Sequence, residues 1–300
     1  MSSSSSNVGP HIYDVIVVGS TNLDLVATVD QLPKPGETVL ATDYAEHAGG
    51  KGLNQAVAAR RAGADTAFVT SLGQDSAGTM LHRLIVNESI AAHVTDHDGP
   101  TGRALIAVDG GAENCIVVVP GANAHLTMSA VESHRRILER ARVVLCQLEV
   151  PLESVEAALA IAKAGGARTI LNPAPARALP TGLLGLCDVI VPNQHEVAML
   201  GGTSALLDAG VGAVVVTLGA RGIRVVTRDG ENDIPPYVVR AVDTTGAGDA
   251  ACGALAAALA LGHDLVTAAR RASAAGALAA TRHGAVPSLP YREDIDSFVS

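Results

Sequence analysis

Two hydrophobic rhythms run through this chain, and they fall in different places. Residues 14–19, DVIVVG, form a short apolar run closed by glycine, which predicts a buried first strand. The stretch 23–47, LDLVATVDQLPKPGETVLATDYAEH, alternates apolar and polar residues around a Pro-Lys-Pro-Gly turn, as a half-exposed hairpin does. Residues 101–119 return to strand-like runs, GRALIAV and CIVVVPG, broken by DGGAEN. Elsewhere strands and helices take turns. GGKGLNQAVAARRAGA (49–64) is a glycine loop opening a helix, TAFVTSLGQD is strand then loop, and 77–86 is helical. Helices are expected over 129–140 and 152–164, and strands at RVVLCQLE, RTILNP, DVIVPN and GAVVVTLG. This alternation predicts an α/β fold, a mostly parallel sheet with helices on both faces. Segments 23–47 and 101–119 then form a small antiparallel sheet projecting from it. No internal repeat and no long linker interrupts the pattern.

Composition narrows the function. A net charge of −9 argues against a general nucleic-acid binder, since phosphate backbones need a basic face. It permits one bound nucleotide, whose phosphates backbone N–H groups can hold. The longest uncharged run, 250–263, is shorter than the roughly 20 apolar residues that span a bilayer. MSSSSSNVGPH is a polar start without a signal-peptide pattern, and residues 1–11 are expected to be a disordered tail before a domain spanning 12–300. Cys115, Cys146, Cys187 and Cys252 are scattered, which suits small core residues in a reducing cytosol. With no Trp and only two Phe, a flat base must be held mainly by aliphatic and small residues.

In open α/β sheets ligands bind outside the carboxyl ends of strands, so the polar residues there carry the candidate chemistry. After the β-branched stretch YVVRAV, the run DTTGAGD opens a small-residue helix. The unpaired N–H groups of Gly246, Ala247 and Gly248 make an anion site, and Asp249 beside it is a candidate base for a hydroxyl. A plain N-terminus with Thr244 or Thr245 as cap explains the same residues. Asn22 and Asp24 follow the first strand and suit sugar hydroxyls, or an Asx turn. Gly49, Gly50 and Gly52 allow close approach to a ligand, with Lys51 and Asn54 in reach, or form a flexible loop. Glu149 ends a strand, for a ligand hydroxyl or simply at the surface. Asn193 and Glu196 have N-x-x-E spacing, suited to waters of a Mg²⁺ ion and equally to a capping box. Thr217, Gly219 and Gly222 punctuate two strands, as a nucleotide loop or a tight turn. Arg282 and His283 in a last helical turn, with Gly284 and Pro287 beyond, form a helix stop whose free carbonyls can ligate a cation. No P-loop and no dinucleotide fingerprint occurs, which disfavours a Rossmann dehydrogenase.

Taken in order, these pieces resemble one family from about residue 13 to the end, the ribokinase-like (PfkB) carbohydrate kinases. GGKGLNQAVAARRAG looks like its first signature and DTTGAGDAACGAL like its second. GSTNLD, PKPGET, GAEN, PGANAHL, QLEVPLES, NPAPARALP and RHGAVPSLPYREDI are similar to its ribose-phosphorylating members. The resemblance implies a three-layer α/β/α fold with a small β-sheet lid, and transfer of the γ-phosphoryl group of ATP to the 5-hydroxyl of D-ribose. It implies that Asn22, Asp24, Gly50, Lys51, Asn54 and Glu149 hold ribose, and that Asp249 is the base beside an anion hole of Gly246, Ala247 and Gly248. It further implies Asn193 and Glu196 for Mg·ATP, and Thr217, Gly219, Gly222, Gly248 and Ser273 around the nucleotide. A K⁺ site would map to Asp243, Thr245, Ala279, Arg282, Gly284 and Ser288, mostly through carbonyls, and the lid would also form a homodimer contact. Alternatives are a kinase of this family acting on another sugar or a nucleoside, and a catalytically silent sugar-binding protein. Two departures stand out. GGTSALLDAGV, between 200 and 211, is short, so a helix there is expected to be cut down or lost. Ser273 stands where many members carry His or Asn.

Overall fold

The computed structural model describes residues 12–111 and 113–300, so the tail expected over 1–11 lies outside the described residues. In chain order the strands are β1 (Tyr13–Val18), β2 (Asn22–Val29), β3 (Ala41–Gly49), β4 (Thr66–Gly73), β5 (Ala91–His97), β6 (Gly102–Asp109), β7 (Asn114–Val119), β8 (Ala141–Cys146), β9 (Arg168–Leu171), β10 (Val189–Ile190), β11 (Ala213–Thr217), β12 (Ile223–Thr227) and β13 (Gly230–Ile234). The helices are α1 (Lys51–Arg61), α2 (Ser76–Asn87), α3 (Met128–Ser133), α4 (Arg135–Leu138), α5 (Leu152–Ala164), α6 (Thr181–Leu184), α7 (Gln194–Met199), α8 (Gly202–Asp208), α9 (Ala247–Ala260), α10 (Leu265–Ala279) and α11 (Arg292–Val299).

Nine strands form one sheet in the order β13-β12-β11-β10-β9-β8-β1-β4-β5. From β11 to β5 every pairing is parallel, and β12 and β13 add an antiparallel edge. β1 shows why both faces need cover. Val15 and Val17 join a core with α1, α9 and α10, whereas Ile16 and Val18 join a second core with α3 and α5. The result is the expected three layers.

Segments 23–47 and 101–119 do build a separate sheet, ordered β3-β2-β6-β7. It is not wholly antiparallel, because β2 and β6 pair parallel from Asn22↔Gly102 to Val29↔Asp109. Each of these strands follows directly from the carboxyl end of a parallel strand of the main sheet, β1 or β5, so both leave in one direction.

Other expectations change locally. The helix expected over 129–140 is broken at His134, whose N–H bonds the Val131 carbonyl three residues back. β5 and the polar edge strand β13 carry too weak an apolar signal to be predicted. YVVRAV forms no strand, since Pro235 and Pro236 just before it offer no N–H to a ladder. The short 200–211 segment keeps a helix, α8. α10 ends at Ala279, so Arg282 and His283 lie past it, not in its last turn. Cys146, Cys187 and Cys252 are buried, but Cys115 is exposed on the edge strand β7. Among the described residues no helix is long and apolar enough to cross a membrane.

Candidate active site

The site is built where α1 meets the end of β1. Gly50 has φ +89°, and a Cβ there would stand 2.8 Å from the Asn22 nitrogen. A Cβ on Gly52 would stand 2.5 Å from the Ser20 nitrogen. Only glycines let the start of α1 lie on the 19–22 backbone, where the Leu53 N–H donates to the Ser20 carbonyl at 2.9 Å. The Glu149 Oε2 accepts from the Ser20 hydroxyl at 2.6 Å and from the Lys51 N–H at 3.0 Å. Glu149 is therefore no mere surface residue; its carboxylate ties β1, the N-terminus of α1 and the end of β8 together. Asn22 has its Oδ1 held by the Asn123 amide at 2.7 Å.

Charge converges on this point. Burial, then Glu149 and Asp249, raise the Asp24 carboxyl to about 7. Lys51 is pushed up by the carboxylate of Asp249 above all, against its own burial, with help from Glu149 and Glu196. Asp249, in the first turn of α9 and 8% exposed, accepts from Asn54 Nδ2 at 2.9 Å and from Gln55 Nε2 at 2.8 Å. The predicted sugar residues and the predicted base thus form one cluster.

Gly246 is the N-cap of α9 in a left-handed conformation, φ +76°. Among the described residues the Gly246 and Gly248 N–H groups have no protein acceptor, whereas the Ala247 N–H donates to the Thr244 carbonyl at 3.2 Å. Two of the three expected anion-hole donors are therefore free, and the third is engaged by a long bond. Neither threonine caps α9 with its side chain.

Asn193 and Glu196 form a complete capping box on α7: Oδ1 of Asn193 takes the Glu196 N–H at 2.9 Å, and Oε2 of Glu196 takes the Asn193 N–H at 2.7 Å. Both also line a cavity of about 240 Å³ with Lys51, Asn172, Gly246 and Asp249. Burial raises the Glu196 carboxyl, with the Asn193 N–H and Lys51 working against it. A larger cavity of about 360 Å³ adjoins, lined by Thr217, Gly219, Gly222, Tyr237, Gly248 and Ser273 among others. Thr217, Thr244 and Gly248 border both. Its wall is mostly small and aliphatic, as expected, with one aromatic face added by Tyr237, which stacks on Phe298.

The residues mapped to a cation also meet. The Asp243 carboxylate accepts from the Thr245 N–H and from the Gly284 N–H, both at 2.8 Å. These bonds outweigh its burial and hold its carboxyl below the usual value. The Asp243 N–H reaches Ala280, the Arg282 N–H bonds the Ala279 carbonyl at 3.2 Å, and the Ser288 hydroxyl donates to Ala285. Among the described residues no group of three or more His, Cys, Asp or Glu side chains is placed to hold a metal.

Sequence reasoning passed over Ser20, Gln55, Asn123, Gln147 and Asn172. Each lies in a stretch already singled out, and the signal was a buried amide or hydroxyl at a strand end or helix start. A buried amide needs partners: Gln55, Gln147 and Asn172 form one chain that ends on Asp249, whereas Asn123 bonds Thr21 and Asn22, and Ser20 bonds Glu149.

A model of the pfkB family carbohydrate kinases matches residues 13–292. The chain is similar to the ribokinase of Haemophilus influenzae, 39% identical over 297 residues, covering 94% of this chain and 97% of that one. It is 42% identical over 297 residues to a bifunctional ribokinase/ribose-5-phosphate isomerase A of Fructilactobacillus sanfranciscensis, of whose length it spans only 55%. The structure of Arabidopsis thaliana ribokinase complexed with ribose and ATP superposes with a TM-score of 0.89 at 28% identity, covering 95% of this chain and 98% of that one.

Proposed function

The chain belongs to the pfkB family of carbohydrate kinases, and on that premise we propose that it transfers the γ-phosphoryl group of ATP to the 5-hydroxyl of D-ribose. The observation that carries this reading is the position of Asp249. It stands among the sugar-site residues and at the helix start where Gly248 borders both cavities. Asn22, Asp24, Gly50, Lys51, Asn54 and Glu149 hold the sugar. Asp249 orients the 5-hydroxyl and takes its proton as that oxygen bonds to the γ-phosphorus. The bond to the β,γ-bridging oxygen breaks and ADP leaves. Gly246 and Gly248 offer N–H groups to the transferred phosphoryl oxygens, joined by Ala247 once its long bond to Thr244 opens. The nucleotide base occupies the larger cavity, between Thr217, Gly219, Gly222 and Ser273.

The donor sets fit two cations. Asn193 and Glu196 would hold Mg²⁺ through water, since one carboxylate oxygen of Glu196 is not used by the capping box. Asp243 with carbonyls of Thr245, Ala279, Arg282, Gly284 and Ser288 would hold K⁺ against the turn that carries the anion hole. When bound, both ions supply positive charge beside the phosphates. The small sheet acts as a lid that excludes water, so that ATP is not merely hydrolysed. We place the enzyme in the cytosol, as a homodimer joined through the lid.

A coupled kinase assay with ribose, deoxyribose, fructose and adenosine, each with and without K⁺, tests the reading. Ribose is expected to lead in kcat/KM by at least about tenfold, because a site built to bond each hydroxyl penalises its loss. Withdrawing K⁺ is expected to slow turnover severalfold. A preference for adenosine over ribose would assign the site to a nucleoside instead.

A further inference from the structure

Asn54 and Gln55 are consecutive residues of α1, yet both side chains end on the same carboxylate. Asn54 Nδ2 holds Oδ2 of Asp249 at 2.9 Å, and Gln55 Nε2 holds Oδ1 at 2.8 Å. With each oxygen tied, the carboxylate cannot turn about its Cβ–Cγ bond. Gln55 is fully buried. Its Nε2 also donates to Asn172 Oδ1 at 3.0 Å, and its Oε1 accepts from Gln147 Nε2 at 2.6 Å.

The polarity of this chain is fixed at its ends. Asn172 Nδ2 donates to the Val191 carbonyl at 2.8 Å, so Asn172 must present its oxygen to Gln55. Asp249, as a carboxylate, can only accept. Both ends therefore demand the amide nitrogen of Gln55, and Gln147 takes up its oxygen. Gln147 follows β8 and Asn172 follows β9, so two strand ends of the main sheet set one side chain of α1. Gln147 Oε1 has no partner among the described residues. A Cβ on Gly19 would stand 2.0 Å from it, so the glycine at the end of β1 leaves this amide its room.

We propose that Gln55 is a positioning residue for the base: its amide fixes Oδ1 of Asp249 as the inner, non-reacting oxygen and leaves Oδ2, on the Asn54 side, to the sugar hydroxyl. The proposal rests on Asp249 being the base. Other charges facing Asp249 are Lys51 at the start of α1, Asp24 on β2, Glu149 after β8 and Glu196 on α7, with the Cys252 thiol one turn along α9. None of them replaces an N–H donated to Oδ1.

Gln55→Met keeps the side chain's length and removes the donor. It is expected to lower kcat at least about tenfold while KM for ribose changes less than about threefold, because the lost contact is to the base and not to the sugar. Gln147→Met, which frees the Gln55 amide, lowers kcat the same way by less. A folded Gln55→Met enzyme with kcat within twofold, or with KM for ribose raised as far as kcat falls, overturns the proposal. If Gln55→Met does not fold, Gln147→Met decides, and an unchanged kcat there overturns it. Asp249→Asn runs alongside. An active Asp249→Asn enzyme removes the base and the positioning role together, whereas an inactive one beside a fully active Gln55→Met enzyme removes only the latter.

Discussion

Asp24 and Asp249 sense each other, but their neighbours differ. Asp249 has two amide donors. Asp24 is partly buried with acidic groups around it, and its carboxyl rises to about 7. In the folded protein it is thus protonated at pH values where the unfolded chain, near 3.8, has already lost that proton. The sign follows: the stability this group contributes is full below about pH 3.8 and is lost as pH rises through about 7. Asp24→Asn is expected to flatten the fall in melting temperature between pH 5 and pH 8, which thermal unfolding across that range checks. Ribose binding runs the other way, because holding two hydroxyls needs the carboxylate. For one group titrating near 7, KM for ribose should fall about tenfold from pH 6 to pH 8, and stay flat in Asp24→Asn. Asp249→Asn, by contrast, is expected to keep the ribose Kd within about threefold and lose about 100-fold or more in turnover. Turnover within tenfold of the unmodified enzyme sinks the base assignment.

Helices α1 and α9 bring the sugar contacts and the base together, and their closeness is set by one small residue. A Cβ on Gly253 would stand 2.5 Å from the Ala58 Cβ and 2.6 Å from the Gln55 carbonyl oxygen. Gly253→Ala therefore wedges the helices apart one turn from Asp249. The expected cost is about 1–3 kcal/mol of stability with a fall in kcat. Gly182→Ala on α6, where a Cβ meets nothing within 4 Å, serves as the neutral control in both measurements. This element shows what the sequence could and could not tell. The strand–helix rhythm and the glycine at the turn were legible, because burial on both faces and a left-handed φ each leave a residue-type signature. Asp249 stood out as a carboxylate beside an anion-binding helix start, though a plain N-terminus explained it equally. Gln55 was not, because a buried amide inside GGKGLNQAVAA looks like any polar helical position until the ends of β8 and β9 are set beside it. Asn193 and Glu196 were legible in both roles, and the capping box shows that local geometry alone does not separate them.

At the scale of the molecule, the small sheet is the part left unfinished. Its β3 edge carries Asp43, Glu46 and His47, but its β7 edge runs Ile116, Val117, Val118 and Val119, all between 41% and 55% exposed. Successive residues of a strand point to opposite faces, so β7 is apolar on both faces as well as unpaired along one side. Leu105, opposite Val117 across β6, adds a 45% exposed neighbour. Single surface valines need no explanation, but a contiguous apolar edge strand invites pairing with another chain, and natural sheets usually guard it with charge. The charged β3 edge is guarded in that way and the β7 edge is not. A second copy of the same chain, the homodimer partner proposed above, is the expected cover for this edge. Sedimentation at micromolar concentration is therefore expected to give the mass of two chains. Val117→Glu puts a charge on the apolar edge and is expected to give the mass of one, with the circular dichroism of the fold unchanged. A dimer that survives Val117→Glu and Ile116→Glu together places the contact somewhere other than β7. A monomer in the unmodified protein removes the lid-joined dimer altogether.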